Sequence, residues 1–148
     1  MFEHNFVIST ESGIVQGYDT RKPDEAVFIL QAHEKSCTNL SLSPHIPNMM
    51  ATCSLDEHIK IWDINGSEPK LIGHRKTTMG ELFSLSFYKD IPWVLASGGS
   101  RGEVAIWDTE ENDKVAEHFA PFLDKSKLPE ESYDDEPEEV DEDMDDSD

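Results

Sequence analysis

Apolar and polar residues alternate in short runs along most of the chain. The period of two places one set of side chains on each face of a pleated strand, so each run predicts a half-buried or fully buried β-strand. The runs are Phe6–Thr10, Ile14–Asp19, Val27–Gln31, Cys37–Ser43, Met50–Ser54, Ile59–Ile64, Leu71–Ile72, Leu82–Tyr88, Trp93–Ser97 and Glu103–Trp107, with Val115–Phe119 as a last outer strand. Between them stand turn signals: Thr20-Arg21-Lys22-Pro23-Asp24, then Pro44 and Pro47, then Gly98-Gly99-Ser100-Arg101-Gly102. The glycine-rich stretch joins two predicted strands and opens no helix, so it is a turn and not a phosphate cradle.

A longer period lies over the short one. Three aromatic-Asp pairs, Tyr18-Asp19, Trp62-Asp63 and Trp107-Asp108, each close an alternating run at steps of 44 and 45 residues. Ala32-His33 and Gly73-His74 precede the two Trp-Asp pairs by 28 and 32 residues. A blade of four antiparallel strands needs roughly 40–45 residues, which is this step. The pattern resembles the WD-repeat family. The resemblance implies an all-β fold of β-propeller blades, with a hydrogen-bonded set in the middle repeat at His33, Ser54, Asp56 and Trp62. A buried indole N–H needs an acceptor, and a carboxylate at a tight turn holds and orients an imidazole, so such a set is a structural lock. The third repeat has Arg101 at the turn-Asp position, and the first has Ser12 there and Tyr18 for Trp. Those blades are expected to rely on apolar packing with their neighbours.

The expected organisation is an incomplete propeller segment over 1–120 of about two and a half blades: a partial blade 1–31, a blade 33–72 and a blade 74–119. A disordered acidic tail is expected over 121–148. Because so few repeats leave apolar blade faces uncovered, the chain is expected to be a C-terminal portion of a larger protein, unless its start is misplaced, and to fold poorly or aggregate when expressed alone.

Charge changes the picture chiefly at the end of the chain. Of 148 residues 30% are charged, for a net −20. Thirteen of the 32 acidic residues fall between Glu130 and Asp148, where no Lys or Arg occurs. Such a field repels phosphates and argues against charge-driven binding of nucleic acid; the adjacent Arg75-Lys76 reads as a solvated loop. The tail reads first as a solubilising segment and second as an electrostatic arm for basic partners. Ser132, followed by Tyr133-Asp134-Asp135, fits an acidophilic kinase site.

Candidate chemistry is sparse. Cys37 and Cys53 fit no metal spacing and read as buried, reduced residues of an intracellular protein. Met1-Phe2-Glu3-His4 has no signal-peptide character, and no apolar run approaches the roughly 20 residues that span a bilayer. His33 and His74 are taken up by the repeat, while His4, His45, His58 and His118 lack the spacing of paired ligands. No catalytic residue, metal site or cofactor is expected.

Asp19-Thr20-Arg21-Lys22-Pro23, Leu30-Gln31-Ala32-His33 and the run Gly98–Asn112 are similar to the C-terminal blades of the periodic tryptophan protein 1 family, which also tends to end in a short acidic tail. That resemblance covers about Phe6 to Phe119. It implies a nucleolar, non-catalytic scaffold in large ribosomal subunit assembly and pre-rRNA processing. It also implies partners among pre-ribosomal proteins, basic ribosomal proteins met through the tail, indirect association with rRNA, and no membrane. The competing readings are a histone- or chromatin-binding propeller and a ubiquitin-ligase substrate receptor.

Overall fold

The computed structural model of the chain describes residues 3–128. Among these, ten strands form three antiparallel sheets. The first sheet holds β1 (Asn5–Ser9), β2 (Ile14–Asp19) and β3 (Ala26–Gln31) in that order. The second is four-stranded: β4 (Cys37–Leu42), β5 (Met49–Ser54), β6 (His58–Asp63) and β7 (Lys70–Lys76). The third holds β8 (Leu82–Phe87), β9 (Val94–Gly99) and β10 (Val104–Asp108). Within each sheet every strand pairs with its neighbour in sequence, the up-and-down order of propeller blades.

The middle sheet is covered on both faces at its centre, where all six residues of β5 are buried. Alternation along β5 and β6 divides them between two cores. Met50 and Trp62 face the first blade and pack with Val15, Phe28, Ala32 and Cys37. Met49, Ala51, Cys53, Ile59 and Ile61 face the third blade and meet Leu82, Leu85, Phe87, Leu95 and Trp107. Each large side chain buried in these cores contributes roughly 1.5–3 kcal/mol, so burial of side chains is the main force that binds the middle blade to its two neighbours. The outward faces are the reverse: Ile29 is 66% exposed on the first blade, and Val104 and Ile106 are 75% and 72% exposed on the third.

Three expectations about these elements need correction. Val115–Phe119 is not a strand; it lies in α1 (Asp113–Phe119). Asn112 caps this helix, its side chain accepting from the backbone N–H groups of Lys114 and Val115. A helix puts Val115 and Phe119, four apart, on one face, whereas a strand would set Glu117 between them on the same face. Both apolar residues are buried, at 0% and 1% exposure, and α1 docks on β7 where Gly73 leaves room. A Cβ on Gly73 would stand 2.7 Å from Val115 Cγ2. The outer strand of the middle blade is also longer than Leu71–Ile72, running on through Lys76, and it carries His74 on its exposed surface. His74 is therefore no counterpart of His33. Thr77 takes that place: its N–H donates to Glu57 O at 2.9 Å, as the N–H of His33 donates to Gly13 O at 3.2 Å.

The span expected as tail from 121 begins with eight described residues, which include two short 3-10 turns and a backbone bond from Asp124 N–H to His45 O at 3.5 Å. The expected disorder of the acidic stretch from Glu130, and Ser132 as a modification site, lie outside the described residues.

Candidate functional site

The first cleft, between blades one and two, is pinned at one rim. His33 follows β3 directly and is held by backbone bonds from Ala32 and His33 N–H to Gly13 O. Gly13 sits at φ +81°, and a Cβ there would lie 2.0 Å from His33 O, so only glycine lets the two turns meet. The imidazole is almost fully buried. Its Nδ1 lies 2.8 Å from Asp56 Oδ2 and its Nε2 lies 2.8 Å from Thr52 Oγ1. The indole N–H of Trp62 donates to the same hydroxyl at 3.0 Å.

One proton arrangement satisfies every member. Trp62 donates to Thr52, the Thr52 hydroxyl donates to Nε2, and Nδ1–H donates to the Asp56 carboxylate. His33 is then neutral. Burial lowers its pKa more than Asp56 raises it. The Asp56 carboxyl is raised by burial, but bonds from His33 and from the His58 N–H outweigh this and hold it below its ordinary value. Protonating His33 would leave the Thr52 hydroxyl proton without an acceptor, so the geometry agrees with a neutral ring beside an ionised carboxylate.

Of the residues read from the sequence, the structure brings His33, Asp56 and Trp62 together. Ser54 is not among them: its hydroxyl accepts from the Asp56 N–H at 3.1 Å and shapes the turn. Thr52 is the hydroxyl between the two rings. Trp62 stands opposite Met50 in the β5–β6 register, so the residue diagonal to it on the same face is Thr52. Ser54 is two residues further along, about 7 Å at a strand's rise. The period of two gives Thr52 and Ser54 the same face, and only the register separates them.

The third blade repeats the frame without this network. Trp107 stands opposite Leu95, and Ser97 occupies the place of Thr52. Ser97 is buried and its hydroxyl has no hydrogen-bond partner. Arg101, at the place of Asp56, instead donates from Nη1 to Thr78 O at 2.8 Å, and Arg75 lies over the Trp107 ring at 5.8 Å.

Other histidines are also held in the frame. His118 of α1 meets Asp63 at 2.6 Å, and His45 Nε2 donates to Lys89 O, leaving its buried Nδ1 without a partner. Cys37 and Cys53 are buried and unpaired, and burial pushes the Cys37 thiol up to about 12, where it does not ionise at neutral pH. Among the described residues no cluster of metal-ligating side chains occurs, and no helix is long and apolar enough to cross a membrane.

At its other rim the first cleft opens into a cavity of about 310 Å³. The start of β1, the β2–β3 turn region, the β4–β5 loop and the β6–β7 turn surround it. Sequence reasoning did not find this cavity, because it depends on what the side chains of two blades fail to fill.

Three stacked antiparallel sheets, joined in sequence order and pinned by a His-Thr-Asp-Trp network, are WD-repeat propeller blades, and the chain carries WD-repeat sequence. The family described as "WD domain, G-beta repeat" matches residues 24–63. An uncharacterized WD repeat-containing protein of Schizosaccharomyces pombe is 39% identical over 79% of this chain and 23% of its own length. A Denticleless protein homolog of Gallus gallus is 32% identical over 76% of this chain and 16% of its own. A periodic tryptophan protein 1 homolog of Drosophila melanogaster is 25% identical over 65% and 21%. The chain thus spans less than a quarter of the length of each of these relatives. A chain in the crystal structure of a mitotic checkpoint complex shares the fold, with a TM-score of 0.63 at 22% identity over 72% of this chain and 32% of that one.

Proposed function

We propose that this chain is part of a non-catalytic scaffold that holds basic proteins within a pre-ribosomal particle, in the nucleolus, during large-subunit assembly and pre-rRNA maturation. The observation that carries the reading is the union of a rigid blade stack with a dense negative segment. Thirteen carboxylates follow within 19 residues of Glu130, joined to a platform in which His33, His45 and His118 are engaged in structure. A carboxylate-rich arm attracts Lys- and Arg-rich proteins and repels rRNA phosphate, so contact with rRNA is indirect, through bound protein. The similarity to a periodic tryptophan protein 1 homolog supports the assembly named here, through what that family's resemblance implies.

The same carboxylates favour a second reading, a propeller that shields histones. The two separate in one experiment, sedimentation of the tagged intact protein from nuclear extract. Migration with large-subunit precursors supports the first reading. Migration with nucleosomes or free histones overturns it in favour of the second.

A further inference from the structure

The two clefts of this chain are built on one plan and finished differently. The β4–β5 loop of the middle blade runs Ile46-Pro47-Asn48, and 45 residues later the β8–β9 loop runs Ile91-Pro92-Trp93. Asn48 and Trp93 share a left-handed backbone, at φ 63° and 75°, and a carbonyl that accepts from the next blade segment: Ile64 N–H to Asn48 O at 2.9 Å, Thr109 N–H to Trp93 O at 3.0 Å. They are the same position in successive blades. In the second cleft Trp93 is 5% exposed and belongs to the core between blades two and three, closed further by Phe87 and by Phe119 of α1. In the first cleft the matching places hold Asn48 and Leu42, no helix covers them among the described residues, and the cavity of about 310 Å³ remains.

We infer that the first cleft is a docking pocket for one aromatic side chain, presented by a partner segment with Lys or Arg beside it. Trp93 shows what the frame accepts: an indole, seated from the rim, against Ile, Met and Phe side chains. Among the described residues no Asp, Glu, Lys or Arg lines the cavity, so the anchor is uncharged. A charged anchor would lose its hydration there without a partner. Asn5, Asn48 and Asn65 stand among the lining residues, and amide side chains both donate to and accept from a peptide backbone. The basic flanks follow from the surroundings. The β2–β3 turn beside the cavity carries Asp19, Asp24 and Glu25 against Arg21 and Lys22, and Arg21 is already bound to Asp19 at 2.6 Å. With Arg21 taken up by Asp19, Asp24 and Glu25 outnumber Lys22 at this turn, so a segment that seats its aromatic residue in the cleft meets net negative charge on that side.

The inference rests on the reading of this chain as a protein-binding scaffold and is independent of which assembly the scaffold serves. Its test uses the intact protein and two nine-residue fluorescent peptides, Lys-Lys-Gly-Ser-Trp-Gly-Ser-Lys-Lys and the same peptide with Ala for Trp, with affinity read by anisotropy. Burial of an aromatic ring corresponds to about tenfold or more in affinity, so the Trp peptide is expected to bind at least that much more tightly than the Ala peptide. In Asn48→Trp, which fills the cleft as Trp93 fills its own, the preference is expected to fall below about twofold. Leu42→Phe, which copies Phe87, narrows the cavity more gently and reports the same loss if Asn48→Trp folds poorly. Equal binding of the two peptides to the unmodified protein overturns the inference, and so does an undiminished preference in both variants. A several-fold gain in affinity on Phe2→Ala also overturns it, since the cleft would then belong to this chain's own second residue. Raising salt separates the two levels. If the Trp-over-Ala preference persists while neither peptide loses affinity with salt, the aromatic pocket stands, and the basic flanks and the electrostatic scaffold reading both fail.

Discussion

The blade around Trp62 and the blade around Trp107 place an indole at the same point of the same register, opposite Met50 and Leu95, and secure it by different means. In the first, a chain of polar bonds runs from the indole through Thr52 and His33 to Asp56. In the second, the equivalent hydroxyl of Ser97 is buried without a partner, and a helix, a second Trp and an overlying Arg75 close the structure. A polar network fixes a geometry and is costly to leave half made, while apolar closure fills space and tolerates an unmatched hydroxyl. The difference also governs what is left open. The cleft pinned by polar bonds at one rim keeps a cavity at the other, and the cleft closed by apolar residues is filled.

The largest effect that divides the two blades is expected from removing their indoles in the intact protein. Trp62→Ala and Trp107→Ala each lose about 3–5 kcal/mol from the vacated volume. Trp62→Ala also strips Thr52 of its donor, so its melting temperature is expected to fall further. Equal losses would show that the network adds nothing to the middle blade.

The hydroxyls divide more cleanly. Thr52→Val keeps the shape and leaves a buried indole N–H and imidazole nitrogen unpaired, at about 1–3 kcal/mol. Ser97→Ala removes a group with no partner and is expected to be neutral or slightly stabilising. Ser54→Ala gives up one turn bond, at about 0.5–1.5 kcal/mol. Chemical denaturation of the three variants gives the order, and a Ser54→Ala loss larger than that of Thr52→Val would reassign the bridging hydroxyl.

Acid discriminates between the blades as well. His33 has its pKa lowered by burial, so below its ordinary value of 6.5 the unfolded chain binds a proton that the folded ring refuses. Stability from this group is whole above pH 6.5 and declines as the pH falls. Asp56 has a lowered pKa, so its contribution is present above 3.8 and is lost as the pH drops through its folded value. Melting temperature recorded against pH is expected to fall in both ranges, and His33→Gln to remove the upper part. A profile unchanged by His33→Gln would mean that this imidazole binds protons alike in the folded and the unfolded chain, its pKa not lowered by burial.

The smallest effect on the blades is expected from deleting residues 130–148. With thirteen acids and only Tyr133, Val140 and Met144 as apolar or aromatic residues, this segment has little to bury, so the melting temperature should not move. Association with a basic partner should slow at low salt more than at high salt, because charge attraction is screened over about 8 Å at physiological ionic strength. An unchanged association rate at low salt would leave the segment as a solubiliser only.

The sequence by itself determined most of the strands and their order, and the family resemblance pointed to three members of the polar network. Alternation carries strand identity because each side chain's face follows from local pleating. The 44- and 45-residue steps carry the blades because one four-stranded unit recurs. His33, Asp56 and Trp62 are the positions that the WD-repeat resemblance implies. Tertiary structure alone decided the rest. Thr52 and Ser54 share a face, and only the pairing of β5 with β6 selects the nearer one. Gly73-His74 resembles Ala32-His33 as a dipeptide, yet β7 continues past it and leaves the imidazole exposed. Val115–Phe119 satisfies a strand pattern over five residues, and the Asn112 cap together with the hollow at Gly73 makes it a helix. The cavity beside Asn48 belongs to no single stretch of chain: it is the volume that two packed blades leave between them, and packing is a property of neighbours in space.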